Sequence, residues 1–283
     1  MPAARANGIT IEYETFGESD DPAVLLIVGL GSQLTRWRLG LIQALVDRGY
    51  FVIRFDNRDV GLSTWFDDVA AERQGAAGTP HYSLSDMAND AVGLLDALDL
   101  VSVNVVGVSM GGMIAQVIAL EHPERVRSLA SIMSSTGSSG IHGEVLAPFM
   151  APSASRDEAI ELNVNMWRAL SGPGFAFDEA LVRQEAVRDY DRGHHPAGTD
   201  RQRIAIVASP DRSGQLSNVK VPALIVHGEC DPLVDPSGGE ATAAAIPGSR
   251  LKLVPGMGHY IPPELYDGLA SDLAELFREG DSH

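Results

Sequence analysis

A serine bracketed by glycines is the strongest chemical signal in the sequence. Ser109 lies between Gly107 and Gly111 in the segment VVGVSMGGMIAQVIAL, with apolar residues on both sides. A serine hydroxyl is a weak nucleophile that must be presented without crowding and placed beside a base. A sharp turn from a strand into a helix presents it in this way, and flanking glycines relieve the clashes at such a turn. The pattern therefore predicts a nucleophilic serine.

Two backbone N–H groups are candidates for binding a developing oxyanion beside this serine. The segment VGLGSQ ends an early apolar run, and its glycines allow the backbone to approach a substrate closely. The peptide N–H of Leu30 is one candidate donor, and that of Met110, directly after Ser109, is the other. Taken alone, the Gly29–Gly31 segment is equally well explained as an ordinary turn.

An acid and a histidine follow the serine in the order that such a site requires. Asp231 lies in HGECDPLVDP, after a late apolar run, and His259 lies in GMGHYIP, after the last apolar run. A single aspartate or histidine in a loop is most simply explained by solvent exposure. The ends of several strands carry the required groups in the required order, however, which favours a triad of Ser109, Asp231 and His259.

Other side chains near Asp231 have to be weighed for the same roles. Asp235 shares the loop, but Asp231 is preferred because it lies where this arrangement of strands places the acid. Cys230 is the single cysteine, and no second histidine is placed to make it a nucleophile. His227 ends the preceding strand, and we expect it to be hydrogen-bonded inside the fold.

Short apolar runs alternate with helical patterns along most of the chain, which predicts an α/β fold with a mostly parallel sheet flanked by helices. The helix predicted at 84–98 has Ser85 as its expected N-cap. The predicted strands are 9–16, 23–28, 51–55, 103–108, 129–133, 223–228 and 250–254, and the predicted helices are 35–48, 84–98, 110–121, 237–246 and 263–278.

The alternation stops between residues 137 and 215, where helical patterns occur without a clear strand. This predicts a helical cap at 137–215, inserted into an α/β core formed by 1–136 and 216–283. A cap over the serine needs an apolar lower face. Some of its large side chains must instead pack the cap onto the core. The residues predicted to line the pocket are Gly29, Trp37, Met150, Met166, Trp167, Phe175 and Phe177.

The composition disfavours several classes of partner. The net charge of −17 repels nucleic-acid phosphates and anionic membrane surfaces. A single cysteine allows no disulfide within the chain. The start, MPAARANGITIEYETFG, does not resemble a signal peptide, and no apolar run approaches the ~20 residues of a membrane span. We expect a cytoplasmic protein that acts on a small molecule, as a monomer or a dimer.

Two charged groups of residues offer competing functional interpretations. Asp56, Arg58 and Asp59 follow a strand in FDNRDVGLS, and a structural role in the turn is preferred over a catalytic one. His194 and His195 are candidate metal ligands, but no cysteine or carboxylate pair stands at ligand spacing beside them. We therefore expect this histidine pair to lie on the cap surface and no metal to be bound.

The sequence resembles the α/β-hydrolase superfamily over essentially its whole length. The segments VGLGSQ, GVSMGG, HGECDPLVDP and GMGHYIP carry this resemblance. Within the superfamily it is similar to actinobacterial esterases, including the polyketide methylesterases of the aclacinomycin methylesterase group. The segments VIRFDNRDVGLST, MGGMIAQVIALEHPERV and WRALSGPGFAFDE support this narrower similarity. The chain departs from many relatives in having Val28 where they have histidine, which bears on hydrogen bonding near the first glycine.

The resemblance implies an α/β-hydrolase fold and ester hydrolysis without a cofactor. Ser109 would attack an acyl carbonyl, and His259 would take its proton and return it to the leaving alcohol. Asp231 would stabilise the imidazolium, and the N–H groups of Leu30 and Met110 would bind the oxyanion. The apolar residues of the predicted cap and the acidic surface predict neutral, apolar esters of small to medium size as substrates, rather than long triglycerides or charged molecules.

Several alternatives share these features. Lactonases, thioesterases and perhydrolases keep the same triad, so all three remain open. Dehalogenases and epoxide hydrolases of the superfamily use an aspartate nucleophile, and Ser109 argues against both. A small-molecule receptor on a hydrolase scaffold also remains open as a different class. Turnover of a short ester would distinguish an enzyme from such a receptor.

Overall fold

The computed structural model describes residues 2–67, 80–150 and 153–281. In chain order, the strands are β1 (Ala3–Ala6), β2 (Ile9–Phe16), β3 (Ala23–Ile27), β4 (Phe51–Phe55), β5 (Val103–Val108), β6 (Val126–Ile132), β7 (Ala223–Gly228) and β8 (Arg250–Val254). They form one sheet in the order β1-β2-β4-β3-β5-β6-β7-β8. Strands β3 to β8 run parallel, while β1 and β2 pair antiparallel. The predicted mostly parallel sheet is therefore confirmed.

Helices cover both faces of this sheet. They are α1 (Leu39–Val46), α2 (Leu84–Ala97), α3 (Met110–Glu121), α4 (Arg156–Leu170), α5 (Glu179–Gly193), α6 (Pro196–Ala208), α7 (Ser213–Leu216), α8 (Pro236–Ala245) and α9 (Tyr266–Gly280). The helix predicted at 35–48 is interrupted, because Trp37 and Arg38 have extended backbone conformations between a 3₁₀ turn and α1.

Alternate residues of the central strands supply two separate apolar cores. In β3, Leu25 and Ile27 pack in the core that contains residues of α2 and α3. Val24 and Leu26 point to the opposite face and pack in the core that contains residues of α1 and α9. All four side chains are fully buried. Each such burial stabilises the fold by roughly 1.5–3 kcal/mol, which explains the continuous apolar run.

The first strand was missed from the sequence, although a local signal for it exists. β1 pairs with β2 through a turn at Asn7 and Gly8, whose φ angles are 47° and 80°. Two consecutive positive φ angles define the tight hairpin turn that an Asn-Gly pair favours. The Asn-Gly pair just before the predicted strand at 9–16 was therefore the signal of a hairpin.

The helix α2 begins at a different cap from the one predicted. The Ser83 hydroxyl accepts a hydrogen bond from the Asp86 N–H at 3.1 Å, and the Asp86 carboxylate accepts one from the Ser83 N–H at 2.8 Å. This reciprocal pair satisfies two N–H groups that the helix leaves free. Ser85 instead donates to Glu121 from inside the first turn, so the prediction of Ser85 as the cap was wrong.

Helices α4, α5 and α6 lie between β6 and β7 along the chain, and buried ion pairs join α5 and α6 to the segment after β4. Arg192 of α5 contacts Asp56 at 2.6 Å. Arg201 of α6 contacts Asp59 through two hydrogen bonds of 2.8 and 2.7 Å. Both aspartates are completely buried, so each charge depends on its arginine. These pairs set the position of the helices above the carboxyl ends of the strands.

Candidate active site

Ser109 lies at the turn between β5 and α3 in a strained backbone conformation. Its φ and ψ angles are 56° and −122°, a combination that non-glycine residues rarely adopt. Its N–H donates to the Ile132 carbonyl at 2.8 Å, and its own carbonyl accepts from the Ser134 hydroxyl at 2.8 Å. The surrounding backbone therefore holds the serine in a conformation that it would not adopt alone.

The glycines around Ser109 are explained by close backbone contacts. A Cβ atom added at Gly107 would lie 2.0 Å from the Gly111 carbonyl oxygen, and one added at Gly111 would lie 2.2 Å from the Ile27 carbonyl oxygen. A Cβ atom added at Gly29 would lie 3.1 Å from the Ser109 Cβ atom. Side chains at these positions would crowd the turn or the serine itself, so the sharp turn depends on glycine.

Asp231 and His259 are brought together from the loops after β7 and β8. The Asp231 Oδ2 atom lies 2.7 Å from the His259 Nδ1 atom. The Oδ1 atom of Asp231 accepts hydrogen bonds from the N–H groups of Leu233 and Val234, both at 2.9 Å. The aspartate and the histidine are both buried. The carboxylate is therefore fixed by the backbone on one side and oriented towards the imidazole on the other.

A second histidine contacts the same carboxylate. His227 is completely buried, and its Nε2 atom lies 2.9 Å from the Val234 carbonyl oxygen and 3.4 Å from Asp231 Oδ2. Its position confirms the expectation of hydrogen bonding inside the fold. Burial acts to raise the pKa of Asp231, but His259, His227 and the backbone N–H donors outweigh burial and hold that pKa below its usual range.

The competing residues of this loop have other contacts. The Asp235 carboxylate accepts a hydrogen bond from the Ser237 N–H at 2.9 Å and caps the N-terminus of α8. Cys230 is exposed. Asp231 is thus the carboxylate of this loop that contacts His259.

The two candidate oxyanion donors belong to the turn after Ser109 and to the loop after β3. Met110 is the first residue of α3, so its N–H has no carbonyl one turn earlier in the helix to bond with. Leu30 lies in the loop after β3 and lines the same cavity as Ser109. The next N–H along that loop, from Gly31, donates to Gln202 Oε1 at 2.9 Å. Gln202 of α6 in turn donates to the Arg58 carbonyl at 2.7 Å, so a helix above the sheet holds this loop.

A cavity of about 100 Å³ joins the serine, the histidine and the loop after β3. Four residues of the predicted pocket line it, namely Gly29, Trp37, Met166 and Trp167. The lining also contains residues that the sequence analysis missed, among them Arg36, Arg38, Leu41, Leu146, Leu233 and Tyr260. No periodic pattern distinguishes these residues, because they come from loops and helix ends that meet only in the folded chain.

Three residues of the predicted pocket lie elsewhere. Met150 lines a second cavity of about 210 Å³, which shares Leu30, Arg36, Met166 and Trp167 with the first. Phe175 packs against the core on the α1 and α9 face of the sheet. Phe177 packs among the helices above the sheet, under the Arg168 guanidinium. The structure therefore does not place Phe175 and Phe177 in either cavity, because both rings are used to pack the fold.

The charged cluster after β4 has structural contacts. Asp56 accepts from the N–H groups of Leu34 and Leu62 at 2.7 and 2.9 Å as well as from Arg192. Arg58 pairs with Asp90 at 2.6 Å. These contacts support the structural interpretation of the cluster.

The histidine pair is divided between surface and interior. His194 is exposed and stacks on Tyr190, as expected for the cap surface. The side chain of His195 is buried, in contrast to that expectation, since it stacks on Trp65 with a ring separation of 4.0 Å and contacts Asp67 at 2.9 Å. The described part of the chain holds no cluster of three or more histidine, cysteine, aspartate or glutamate side chains arranged to bind a metal.

The sheet order, the strained serine after β5 and the acid and histidine loops after β7 and β8 define an α/β hydrolase. The family model for the alpha/beta hydrolase fold matches residues 22–264, and the chain belongs to this family. No helix within residues 2–67, 80–150 and 153–281 has the length and apolar character needed to cross a membrane.

Proteins of known activity and structure resemble the chain along most of its length. Rhodomycin D methylesterase DnrP of Streptomyces peucetius is 29% identical over 290 residues, which cover 93% of each chain. The 3-oxoadipate enol-lactonase 2 of Acinetobacter baylyi is 26% identical over 255 residues, covering 88% of this chain and 86% of that protein. The enol-lactonase structure from Burkholderia xenovorans has a TM-score of 0.79 at 24% identity, covering 98% of this chain and 100% of that chain. The similarity to methylesterases is thereby confirmed.

Proposed function

We propose that this protein is a serine hydrolase that cleaves carboxylic esters through an acyl-enzyme intermediate. The observation that carries the proposal is the 2.7 Å contact between Asp231 and His259, together with a cavity that His259 shares with Ser109. A nucleophile at a strained turn, a buried imidazole and an ionised carboxylate are the groups that acyl transfer to a serine requires. The similarity to methylesterases and lactonases supports the same chemistry.

In the proposed mechanism, the Ser109 hydroxyl oxygen attacks the ester carbonyl while His259 takes its proton. The carbonyl oxygen becomes an oxyanion that accepts hydrogen bonds from the N–H groups of Leu30 and Met110, each contributing about 3 kcal/mol by analogy with other hydrolases. His259 then protonates the leaving alcohol. A water molecule, deprotonated by His259, attacks the acyl-enzyme and releases the acid and the free serine. Asp231 stabilises the imidazolium in both halves of the reaction.

The proposed cap, residues 137–215, closes the site from above. Leu146, Met166 and Trp167 from this segment line the cavity. The small and mostly apolar cavity supports esters of small to medium size with an apolar body. Residues 151 and 152 of the proposed cap lie outside the described residues.

Lactone hydrolysis is the second candidate function, because the lactonase of Acinetobacter baylyi matches most of the chain. A lactone is an internal ester, and its ring opening by Ser109 uses the same attack, oxyanion binding and proton transfer. A panel containing methyl esters of bulky ring acids and lactones of similar size would rank the two functions. Higher kcat/KM for the lactones would assign the protein to that class.

The replacement Ser109→Ala tests the proposed function. We expect p-nitrophenyl acetate hydrolysis to fall by at least about 10³-fold, because no nucleophile remains to form the acyl-enzyme. The circular dichroism spectrum should be unchanged, since the replacement removes one oxygen atom at a cavity wall. A phosphonate inhibitor should label Ser109 in the parent protein. Labelling at another residue, or an alanine variant with full activity, would contradict the assignment.

A further inference from the structure

Two arginines line the cavity that contains Ser109. Arg36 and Arg38 both contribute to its wall, and no aspartate or glutamate is among the described residues that line it. One buried carboxylate, from Glu185, contacts both guanidinium groups at 3.2 and 2.6 Å. Two cations on the wall of this apolar cavity therefore share one buried carboxylate, which is not among the residues that line it.

The two arginines differ in how completely they are hydrogen-bonded. Arg38 donates to both oxygens of Glu185 at 2.6 Å and also to the hydroxyls of Tyr260 and Tyr266. Arg36 makes a single contact with Glu185, and its buried Nη2 atom has no hydrogen-bond acceptor within the described residues. Arg36 is therefore the guanidinium with unused donors.

The carboxylates near Arg36 are shared with other groups, and Glu185 also pairs with Arg38. Asp189 lies on the wall of the second cavity, but its carboxylate accepts hydrogen bonds from Arg188 at 2.9 Å and Thr35 at 2.7 Å. Burial, with help from Arg38, lowers the pKa of Arg36 to about 10 against the opposing effects of Glu185 and Asp189, so the guanidinium is charged at neutral pH. The guanidinium carbon lies 3.3 Å from the centroid of the Trp167 ring, a cation–π contact that compensates for only part of the lost hydration.

Arg36 and Trp167 stand between the two cavities, because both residues line both of them. A molecule that enters the first cavity and reacts at Ser109 would therefore extend towards a planar cation on an aromatic ring. A guanidinium group has paired donors in a fixed plane that match the two oxygens of a carboxylate. A neutral apolar chain would offer the Arg36 guanidinium no acceptor, whereas a carboxylate in the cavity would offer two oxygens to a cation that lines its wall.

We propose that Arg36 recognises a carboxylate at the non-reacting end of the acyl group, so that the preferred substrates are esters with an apolar body and an anionic tail. This inference rests on the proposed esterase function and identifies its substrate class. It revises the expectation that charged substrates are excluded.

The overall charge of −17 opposes an anionic substrate, but only at long range. Surface charges are screened beyond about 8–10 Å at physiological ionic strength, while a buried cation is screened much less. The acidic surface therefore slows the approach of an anion, and Arg36 decides its affinity once the anion is inside.

The inference is tested by binding to the inactive Ser109→Ala protein. The probes are methyl hydrogen adipate, which carries a carboxylate, and methyl adipamate, which carries a neutral amide of the same size. Quenching of Trp37 and Trp167 fluorescence reports occupation of the cavity. We expect the carboxylate probe to bind at least about tenfold more tightly, as for a charge-assisted hydrogen bond that replaces a neutral one.

Variants identify the residue that is responsible for this preference. In the Ser109→Ala protein, adding Arg36→Gln should remove the preference for the carboxylate probe. Adding Arg36→Lys should retain part of this preference, because the positive charge remains without the paired donors of a guanidinium group. Arg168→Gln is the matched control, since Arg168 follows Trp167 on the same helix but is half-exposed and paired with Glu179. We expect this control to keep the full preference.

If the Ser109→Ala protein bound the two probes with equal affinity, that result alone would overturn the inference. Persistence of the preference in a folded Arg36→Gln protein, checked by circular dichroism, would also overturn it. The proposed function fails separately, if the parent protein hydrolyses neither probe while the Arg36-dependent preference in binding is still measured.

Discussion

At the scale of single residues, Asp231 combines burial with a stable negative charge. Four contacts hold it, from His259, His227 and two backbone N–H groups. An isolated carboxylate in such a position would favour its neutral form. The contacts reverse that preference, which leaves Asp231 ionised and able to stabilise an imidazolium during the proposed reaction.

Replacing this carboxylate should affect catalysis far more than replacing its neighbour. We expect Asp231→Asn to lower kcat by about 10⁴-fold, because an amide does not hold the imidazole in the reactive tautomer. Asp235→Asn should lower it by less than about tenfold, since Asp235 caps a helix and asparagine caps nearly as well. Steady-state kinetics on p-nitrophenyl acetate measures both. If Asp235→Asn were the more damaging change, the acid role would pass to Asp235.

The depressed pKa of Asp231 also predicts how stability depends on pH. Because the pKa is lower in the folded protein than in the unfolded chain, ionisation of Asp231 contributes stability above pH ~4. This stabilisation is lost as the pH falls below ~4 and through the pKa of Asp231 in the folded protein. We expect the difference in free energy of unfolding between the parent protein and Asp231→Asn to narrow from pH 7 to pH 3. Urea denaturation measures it, and a difference that widens on acidification would refute the linkage.

At the scale of elements, the site depends on contacts between α6 and the loops after β3 and β4. Gln202 links the Gly31 N–H to the Arg58 carbonyl, and Arg201 pairs with Asp59. The helix therefore fixes the loop that carries the proposed Leu30 donor. Loss of these contacts would disturb the fold and the oxyanion site together.

The ion pair of Arg201 should therefore be costly to break. We expect Arg201→Gln to lower the free energy of unfolding by about 3–5 kcal/mol, because Asp59 remains buried without its cation. Arg203→Gln, on the same helix, breaks an exposed pair with Asp200 and should cost less than about 1 kcal/mol. Urea denaturation of both proteins compares them. Similar losses in the two variants would show that the Asp59 pair contributes no more than a surface pair.

At the scale of the whole molecule, the sheet and the helices above it enclose a small reaction chamber. The cavity of about 100 Å³ is lined by loops that follow strands of the sheet and by residues 146, 166 and 167. Apolar lining surrounds the serine, while the guanidinium groups of Arg36 and Arg38 mark one part of the wall. The small volume of this cavity predicts a limit on the length of the acyl chain.

A series of p-nitrophenyl esters from acetate to palmitate tests this limit. We expect kcat/KM to be highest for short or medium acyl chains and to be at least about tenfold lower for palmitate, because a long chain would not fit beneath the proposed cap. All esters of this series have uncharged acyl chains, so differences in kcat/KM report the length of the chain and not its charge. Highest activity on palmitate, with activation at an oil–water interface, would instead identify a lipase.

Local patterns in the sequence were sufficient to predict the parallel sheet, the turn at Ser109 and the loops of Asp231 and His259. Strand alternation and glycine spacing act over a few residues, so they are visible before folding. The hairpin at Asn7 and Gly8 carried a similar local signal.

The composition of the cavity wall was decided by the tertiary structure alone. Nothing local distinguishes Phe175, which packs into the core, from Trp167, which lines the cavity. Arg36 and Glu185 lie 149 residues apart, and their contact exists only because α5 packs over the loop after β3. Arg36 has fewer hydrogen bonds than Arg38 because the two share the carboxylate of Glu185 unequally. Sequence periodicity contains no information about that geometry.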